Sequence, residues 1–139
     1  MTRTTVEPSS TRSQSSGGLE HVLVAEDDDL IRELVMQQLD SLGYRVSSAC
    51  EGPAALEIIR ECTDIDLLFT DIVMSGGMSG LELAAAAVAI RPRLRIVFTS
   101  GNSAQRARMD ELAGFNFEFL QKPYRRQELA RRLRKVLDG

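Results

Sequence analysis

Two patterns of apolar and polar positions alternate along the chain after residue 20. Short apolar runs, typical of strands covered on both faces, occupy residues 21–25 and 66–70, and further strands are predicted over residues 94–99 and 115–120, with a weaker one over residues 44–49. Segments with apolar residues at helical spacing follow these runs and begin near residues 30, 52, 81, 104 and 125. Five strand–helix units without a hairpin signal predict an α/β domain, a doubly wound five-stranded parallel sheet with helices on both faces.

The start of the chain has a different composition. Half of residues 1–18 are serine or threonine, and Val6 is their one branched apolar residue. Such a segment buries too little apolar surface to offset the entropy lost on ordering. We therefore predict a disordered tail over residues 1–18 and one domain over residues 19–139.

Composition narrows the class of protein. The chain has 139 residues, of which 43% are hydrophobic, and a net charge of −3, as expected for one soluble globular domain. Cys50 and Cys62 have neither metal-ligand nor disulfide spacing, and no apolar run approaches the roughly 20 residues of a membrane helix. We expect a cytoplasmic protein with no membrane partner. The basic last helix is interpreted as a solvated face, or a docking surface for an acidic partner, rather than a nucleic-acid site.

Chemically active side chains follow the predicted strands. Glu26 and Asp27 come after the first strand, Asp71 after the third, Ser100 after the fourth and Lys122 after the fifth. Parallel strands end at the same edge of the sheet, so we expect these groups to lie close together. Ligands of such sheets bind at this edge, beyond the carboxyl ends of the strands. Clustered carboxylates repel one another unless a cation lies among them, and oxygen ligands suit Mg²⁺. An aspartate, Mg²⁺, a lysine and a hydroxyl are the groups needed for phosphoryl transfer to a carboxylate.

Four segments give the chain a family resemblance. They are residues 22–29 (VLVAEDDD), 68–74 (LFTDIVM), 97–101 (VFTSG) and 120–123 (LQKP). With these motifs in this order, residues 20–137 resemble the receiver domain of bacterial two-component response regulators, the CheY-like family. The resemblance implies a (βα)5 flavodoxin-like receiver fold with strand order 2-1-3-4-5.

The resemblance also implies roles for individual residues. Asp71 would accept a phosphoryl group from a phosphohistidine on a sensor kinase. Asp27 would bind Mg²⁺ directly, Glu26 would act through water, and the backbone carbonyl of Val73 would complete the metal site. Lys122 would contact the phosphoryl group and, in its absence, Asp71.

A switch is implied as well. Ser100 would move toward the phosphoryl group, and Phe119 would follow into the vacated space. The face formed by the predicted helices at residues 104–113 and 125–137 and the fifth strand would change. Three features depart from the family: Glu26 replaces a commoner aspartate, Phe119 replaces a commoner tyrosine, and the loop at residues 75–80 is one residue longer, with Ser75 in place of proline.

The predicted function is that of a stand-alone signalling switch, since the chain ends two residues after the last predicted helix. Its partners would be a sensor histidine kinase or histidine phosphotransfer protein and an unidentified downstream protein, without direct DNA binding, and it would be a monomer or weak homodimer. It would catalyse only its own phosphorylation and dephosphorylation. The alternatives are a phosphorelay intermediate, a phosphate sink or an unphosphorylated interaction module. A phosphatase is disfavoured, because Val73 cannot protonate a leaving group.

Overall fold

The structure, a computed structural model, describes residues 20–74, 76–101 and 117–138. In chain order the elements are β1 (His21–Ala25), α1 (Asp29–Ser41), β2 (Arg45–Ala49), α2 (Gly52–Glu61), β3 (Leu67–Asp71), α3 (Gly80–Ile90), β4 (Arg95–Ser100), β5 (Glu118–Gln121) and α4 (Arg126–Asp138). The predicted tail and the predicted helix over residues 104–113 lie outside the described residues.

The five strands form one parallel sheet in the order β2-β1-β3-β4-β5, which confirms the predicted fold class and strand order. Two strands, β3 and β4, extend one residue beyond their predicted ends. Asp71 is paired with Thr99, and Ser100 with Gln121, so each belongs to a strand and does not follow it. The reason is that the hydrogen-bonded ladder continues past the last apolar position.

A hydrophobic layer covers each face of the sheet. On one face, Leu56 and Ile59 of α2 and Leu83 of α3 pack against strand residues such as Leu68 and Phe98. On the other face, the helix residues in the layer are Val35 and Leu39 of α1 and Leu129 and Leu133 of α4. Burial on both faces explains why the three central strands, β1, β3 and β4, are apolar runs without alternation.

Local signals set the helix starts beside the carboxyl edge of the sheet. The Asp28 carboxylate accepts hydrogen bonds from Leu30 N and Ile31 N and caps the start of α1. Ser79 begins α3 through a capping box with Glu82. In the part of the chain that the structure describes, no helix has both the length and the apolar character needed to cross a bilayer.

Candidate functional site

The strand register brings the predicted site residues to one edge of the sheet. Glu26 directly follows β1, and its backbone N–H donates a hydrogen bond to Ala49 O at 3.1 Å. Asp71 is the last residue of β3. Lys122 follows β5, and its N–H donates to Ser100 O at 2.8 Å. Backbone pairing with neighbouring strands therefore fixes the positions at which these side chains leave the sheet.

An ion cluster lies at the centre of this edge. Lys122 Nζ donates a hydrogen bond to Asp71 Oδ2 at 2.9 Å and lies 3.7 Å from Glu26 Oε1. The three side chains are mostly buried, with 27%, 15% and 7% of their surfaces exposed for Lys122, Asp71 and Glu26 respectively. One ammonium group thus bridges two carboxylates in a site with limited access for water.

Burial changes the electrostatics of Glu26. Loss of solvent raises the pKa of its carboxyl, and the N–H of Asp28, which donates to Glu26 Oε2 at 3.0 Å, opposes that rise. Asp27 and Asp71 add to the rise in the Glu26 pKa, while the positive charge of Lys122 opposes it. The net pKa is raised, because one lysine does not offset both burial and the neighbouring acids.

The acidic neighbours of Lys122 stabilise its charged form. Burial alone lowers the pKa of its ammonium group, but the hydrogen bond and charge of Asp71 outweigh that effect, and Glu26 adds to it. The pKa of Lys122 is therefore raised. This side chain is a stable positive charge next to Asp71, suited to contact an anion.

A small cleft opens beside the cluster, with about 210 Å³ of free space including its mouth. Its lining includes the cluster and Thr99 as well as the ring and aliphatic side chains of Ile31, Val35, Phe69 and Tyr124. The sequence prediction missed Thr99, Ile31 and Tyr124. Thr99 is one position before Ser100 and is the register partner of Asp71, a relationship that could be found only once the strand register was known.

The predicted switch residues lie apart from this cleft. Ser100 and Phe119 are not among its lining residues, and both are buried, at 2% and 3% exposure. Phe119 is paired with Phe98 across the strands and belongs to the core layer next to α2 and α3. The structure therefore links these residues to the site through β4 and β5.

The segment after Asp71 turns sharply toward α3. Gly76 and Gly77 both have positive φ, of 90° and 86°, which side-chain-bearing residues rarely adopt. The N–H of Gly80 then donates to Ile72 O at 2.7 Å. Val73 is 62% exposed, and Ser75, the predicted departure from the family pattern, lies outside the described residues.

The donor set fits a hydrated oxygen-seeking cation. Among residues 20–74, 76–101 and 117–138, no three His, Cys, Asp or Glu side chains group closely enough to hold a metal by themselves. Mg²⁺ keeps several waters and binds through one or two carboxylates, so it requires no such cage. The buried Glu26 beside Asp27 and Asp71 is a concentration of negative charge, only partly offset by Lys122, that such an ion would stabilise.

Comparison with known proteins identifies the family. Residues 22–134 match the model of the response regulator receiver domain. The response regulator receiver protein CpdR of Brucella abortus is 35% identical over 119 residues, which cover 86% of this chain and 98% of that protein. The sensor kinase CckA of Brucella abortus is 32% identical over 118 residues, which cover 84% of this chain and 12% of that protein.

A solved structure shows the same fold. The receiver domain of the sensor histidine kinase PA1611 from Pseudomonas aeruginosa superposes with a TM-score of 0.76 at 26% identity, covering 86% of this chain and 98% of that domain. That domain has a magnesium ion coordinated in its active-site cleft. Receiver domains are the phosphorylation-controlled signalling domains of two-component systems. The family match and the shared fold establish that the chain belongs to the response regulator receiver domain family.

Proposed function

We propose that this receiver accepts a phosphoryl group on Asp71 from a phosphohistidine of a sensor kinase or histidine phosphotransfer protein, with Mg²⁺ as cofactor. The observation that carries the proposal is the 2.9 Å contact between Lys122 Nζ and Asp71 Oδ2 beside the buried Glu26. It gives Asp71 an adjacent positive charge at the cleft that opens beside the cluster.

The transfer forms one bond and breaks another. A carboxylate oxygen of Asp71 attacks phosphorus, and the P–N bond to the donor histidine breaks. The electron pair stays on the imidazole nitrogen, which takes a proton from water. Lys122 then moves from the Asp71 carboxylate to a phosphoryl oxygen, where its fixed positive charge offsets the negative charge.

Three groups would hold the metal: Asp27 and Asp71 through their carboxylates and Val73 through its backbone carbonyl. Glu26 would bind through water, because its carboxyl already accepts the N–H of Asp28 at 3.0 Å. When bound, Mg²⁺ supplies positive charge that offsets the oxygens of the phosphoryl group.

The signal would leave through β5 and α4. When Lys122 moves toward a phosphoryl group, the hydrogen bond from its backbone N–H to Ser100 O couples the motion to the end of β4. Arg132 Nη1 of α4 donates to Phe119 O at 2.9 Å, so a shift of Phe119 pulls on α4. A downstream protein would read the altered face formed by β5 and α4.

The test is an intact-mass measurement after incubation with acetyl phosphate and Mg²⁺. We expect one added phosphoryl group on the wild type and none on Asp71→Asn or without Mg²⁺. Glu57→Gln, which removes an exposed carboxylate on α2, is the matched control and should be phosphorylated like the wild type. Absence of any gain in the wild type would overturn the proposal.

A further inference from the structure

Tyr124 lines the cleft but has no role in the proposed phosphoryl transfer. Tyr124 lines the cleft together with Glu26, Asp71 and Lys122 and lies two residues after that lysine. Its ring packs edge-on against Phe69, with 6.4 Å between ring centroids and 75° between ring planes. Phe69 is a core residue with 3% exposure, so this contact holds the tyrosine ring in one orientation.

The hydroxyl of Tyr124 is available to a ligand. Within the described ranges, no group forms a hydrogen bond with its hydroxyl. The carboxylates of Glu26 and Asp71 lie near enough to act on that hydroxyl electrostatically, which places it near Asp71. A phenol has one O–H donor, and here that donor has no described hydrogen-bond partner and can point toward an anion at Asp71.

A phosphoryl group can accept several hydrogen bonds. It brings three acceptor oxygens to a cleft whose lining includes one charged donor, Lys122, and two hydroxyl groups, those of Thr99 and Tyr124. The Tyr124 hydroxyl would add a neutral donor to the positive charge of Lys122, and the contact with Phe69 holds the Tyr124 ring in the cleft lining.

We propose that Tyr124 is a phosphoryl-binding residue whose hydroxyl donates a hydrogen bond to an oxygen of the group on, or arriving at, Asp71. The inference rests on the proposed function. It adds a specific contact that distinguishes this site from one with phenylalanine at the same position.

The test compares Tyr124→Phe with Tyr44→Phe. The chain has two tyrosines and no tryptophan, and Tyr44 is buried at 1% exposure, outside the cleft lining. Both substitutions keep the ring and its packing. We expect the second-order rate constant for phosphorylation by acetyl phosphate with Mg²⁺ to fall about 10-fold or more in Tyr124→Phe, as for loss of one hydrogen bond to a charged group, and to stay at the wild-type value in Tyr44→Phe.

A second measurement reports on contact without relying on rate. In the Tyr44→Phe variant all tyrosine emission comes from Tyr124, so phosphorylation of Asp71 should change its intensity. Phosphorylation of Tyr124→Phe at the rate of Tyr44→Phe would overturn the inference, as would unchanged Tyr124 emission on full phosphorylation. A wild type that gains no phosphoryl group would overturn the proposed function. A wild type that is phosphorylated, with Tyr124→Phe equally fast, would overturn only the role of Tyr124.

Discussion

Gly80 at the start of α3 lies directly against the backbone of Asp71. A Cβ atom at position 80 would overlap the Asp71 carbonyl oxygen and lie 3.0 Å from Ile72 Cα. The contact is with backbone, which cannot rotate away as a flexible side chain would. The first turn of α3 therefore fixes the position of the segment that contains Asp71.

Gly80→Ala should destabilise the protein, although helix propensity alone predicts the reverse. Alanine favours a helix over glycine by up to about 1 kcal/mol, whereas overpacking costs about 1–3 kcal/mol. We expect the free energy of unfolding from urea titration to fall. Gly101→Ala is the control, because a Cβ there meets nothing within 4 Å among the described residues. Equal stability of the two variants would show that the contact does not constrain the segment.

Magnesium should stabilise the wild type through Asp27. A ligand at about 100 times its Kd raises the free energy of unfolding by about 2.7 kcal/mol. We expect Mg²⁺ to raise the thermal midpoint of the wild type, EDTA to reverse this, and Asp27→Asn to lose most of the response. Asp29→Asn removes an exposed carboxylate that pairs with Arg32, and it should respond like the wild type. The same response in both variants would exclude Asp27 as a ligand.

Much of the fold and the location of the site could be predicted from the sequence. Alternating apolar runs and helical patterns fix a parallel sheet, and parallel strands bring their carboxyl ends together. That argument places Glu26, Asp71 and Lys122 at one edge, where the structure has Lys122 within 4 Å of both acids. The exact strand order came from the resemblance, since periodicity does not choose between neighbours.

The remaining features depend on packing that periodicity does not encode. Helical spacing groups Leu30, Ile31 and Leu34 with Val35 and Leu39, yet only the last two are buried. Which residues face the core depends on where the helix axis crosses the sheet. The role of Gly80 depends on a close backbone approach, and Tyr124 follows a proline outside any periodic segment.

Exposed apolar side chains predict where a protein phosphodonor docks. In the described part of the chain, the large apolar side chains that are exposed are Leu30, Ile31, Leu34 and Val73. Ile31 lines the cleft, and Val73 lies two residues after Asp71. Leu34→Asp should lower phosphotransfer from whichever purified histidine kinase acts fastest on the wild type by about 10-fold, because an interface anchor contributes at least 1 kcal/mol.

The same substitution should leave phosphorylation by acetyl phosphate unchanged, because that donor needs no protein interface. Gln37→Asp adds a charge at another exposed position of α1 and should transfer normally with both donors. Equal loss with kinase and acetyl phosphate would mean that Leu34 supports the site rather than a docking surface.

Glu118 should make stability depend on pH at the β5–α4 contact. Its carboxylate lies 3.1 Å from Lys135 Nζ and 3.2 Å from Arg132 Nη1. Burial raises the pKa of Glu118, but the hydrogen bonds from Lys135 and Phe119 N and the charges of Lys135 and Arg132 outweigh it, so the net pKa is lowered. A lowered pKa means that the folded state favours the ionised form.

Stability from Glu118 is therefore fully present above the unfolded pKa of about 4.3 and is lost as the pH falls through the lower folded value. Glu118→Gln should reduce the free energy of unfolding at pH 7 by about 1 kcal/mol, the upper range for a pair with an exposed partner. The difference from the wild type should shrink below about pH 4, as measured by urea titration. Glu128→Gln removes a more exposed partner of Arg132 and should change stability less. A wild-type to Glu118→Gln difference that stays constant down to pH 3 would contradict the assignment, because protonated Glu118 can no longer attract Lys135 and Arg132.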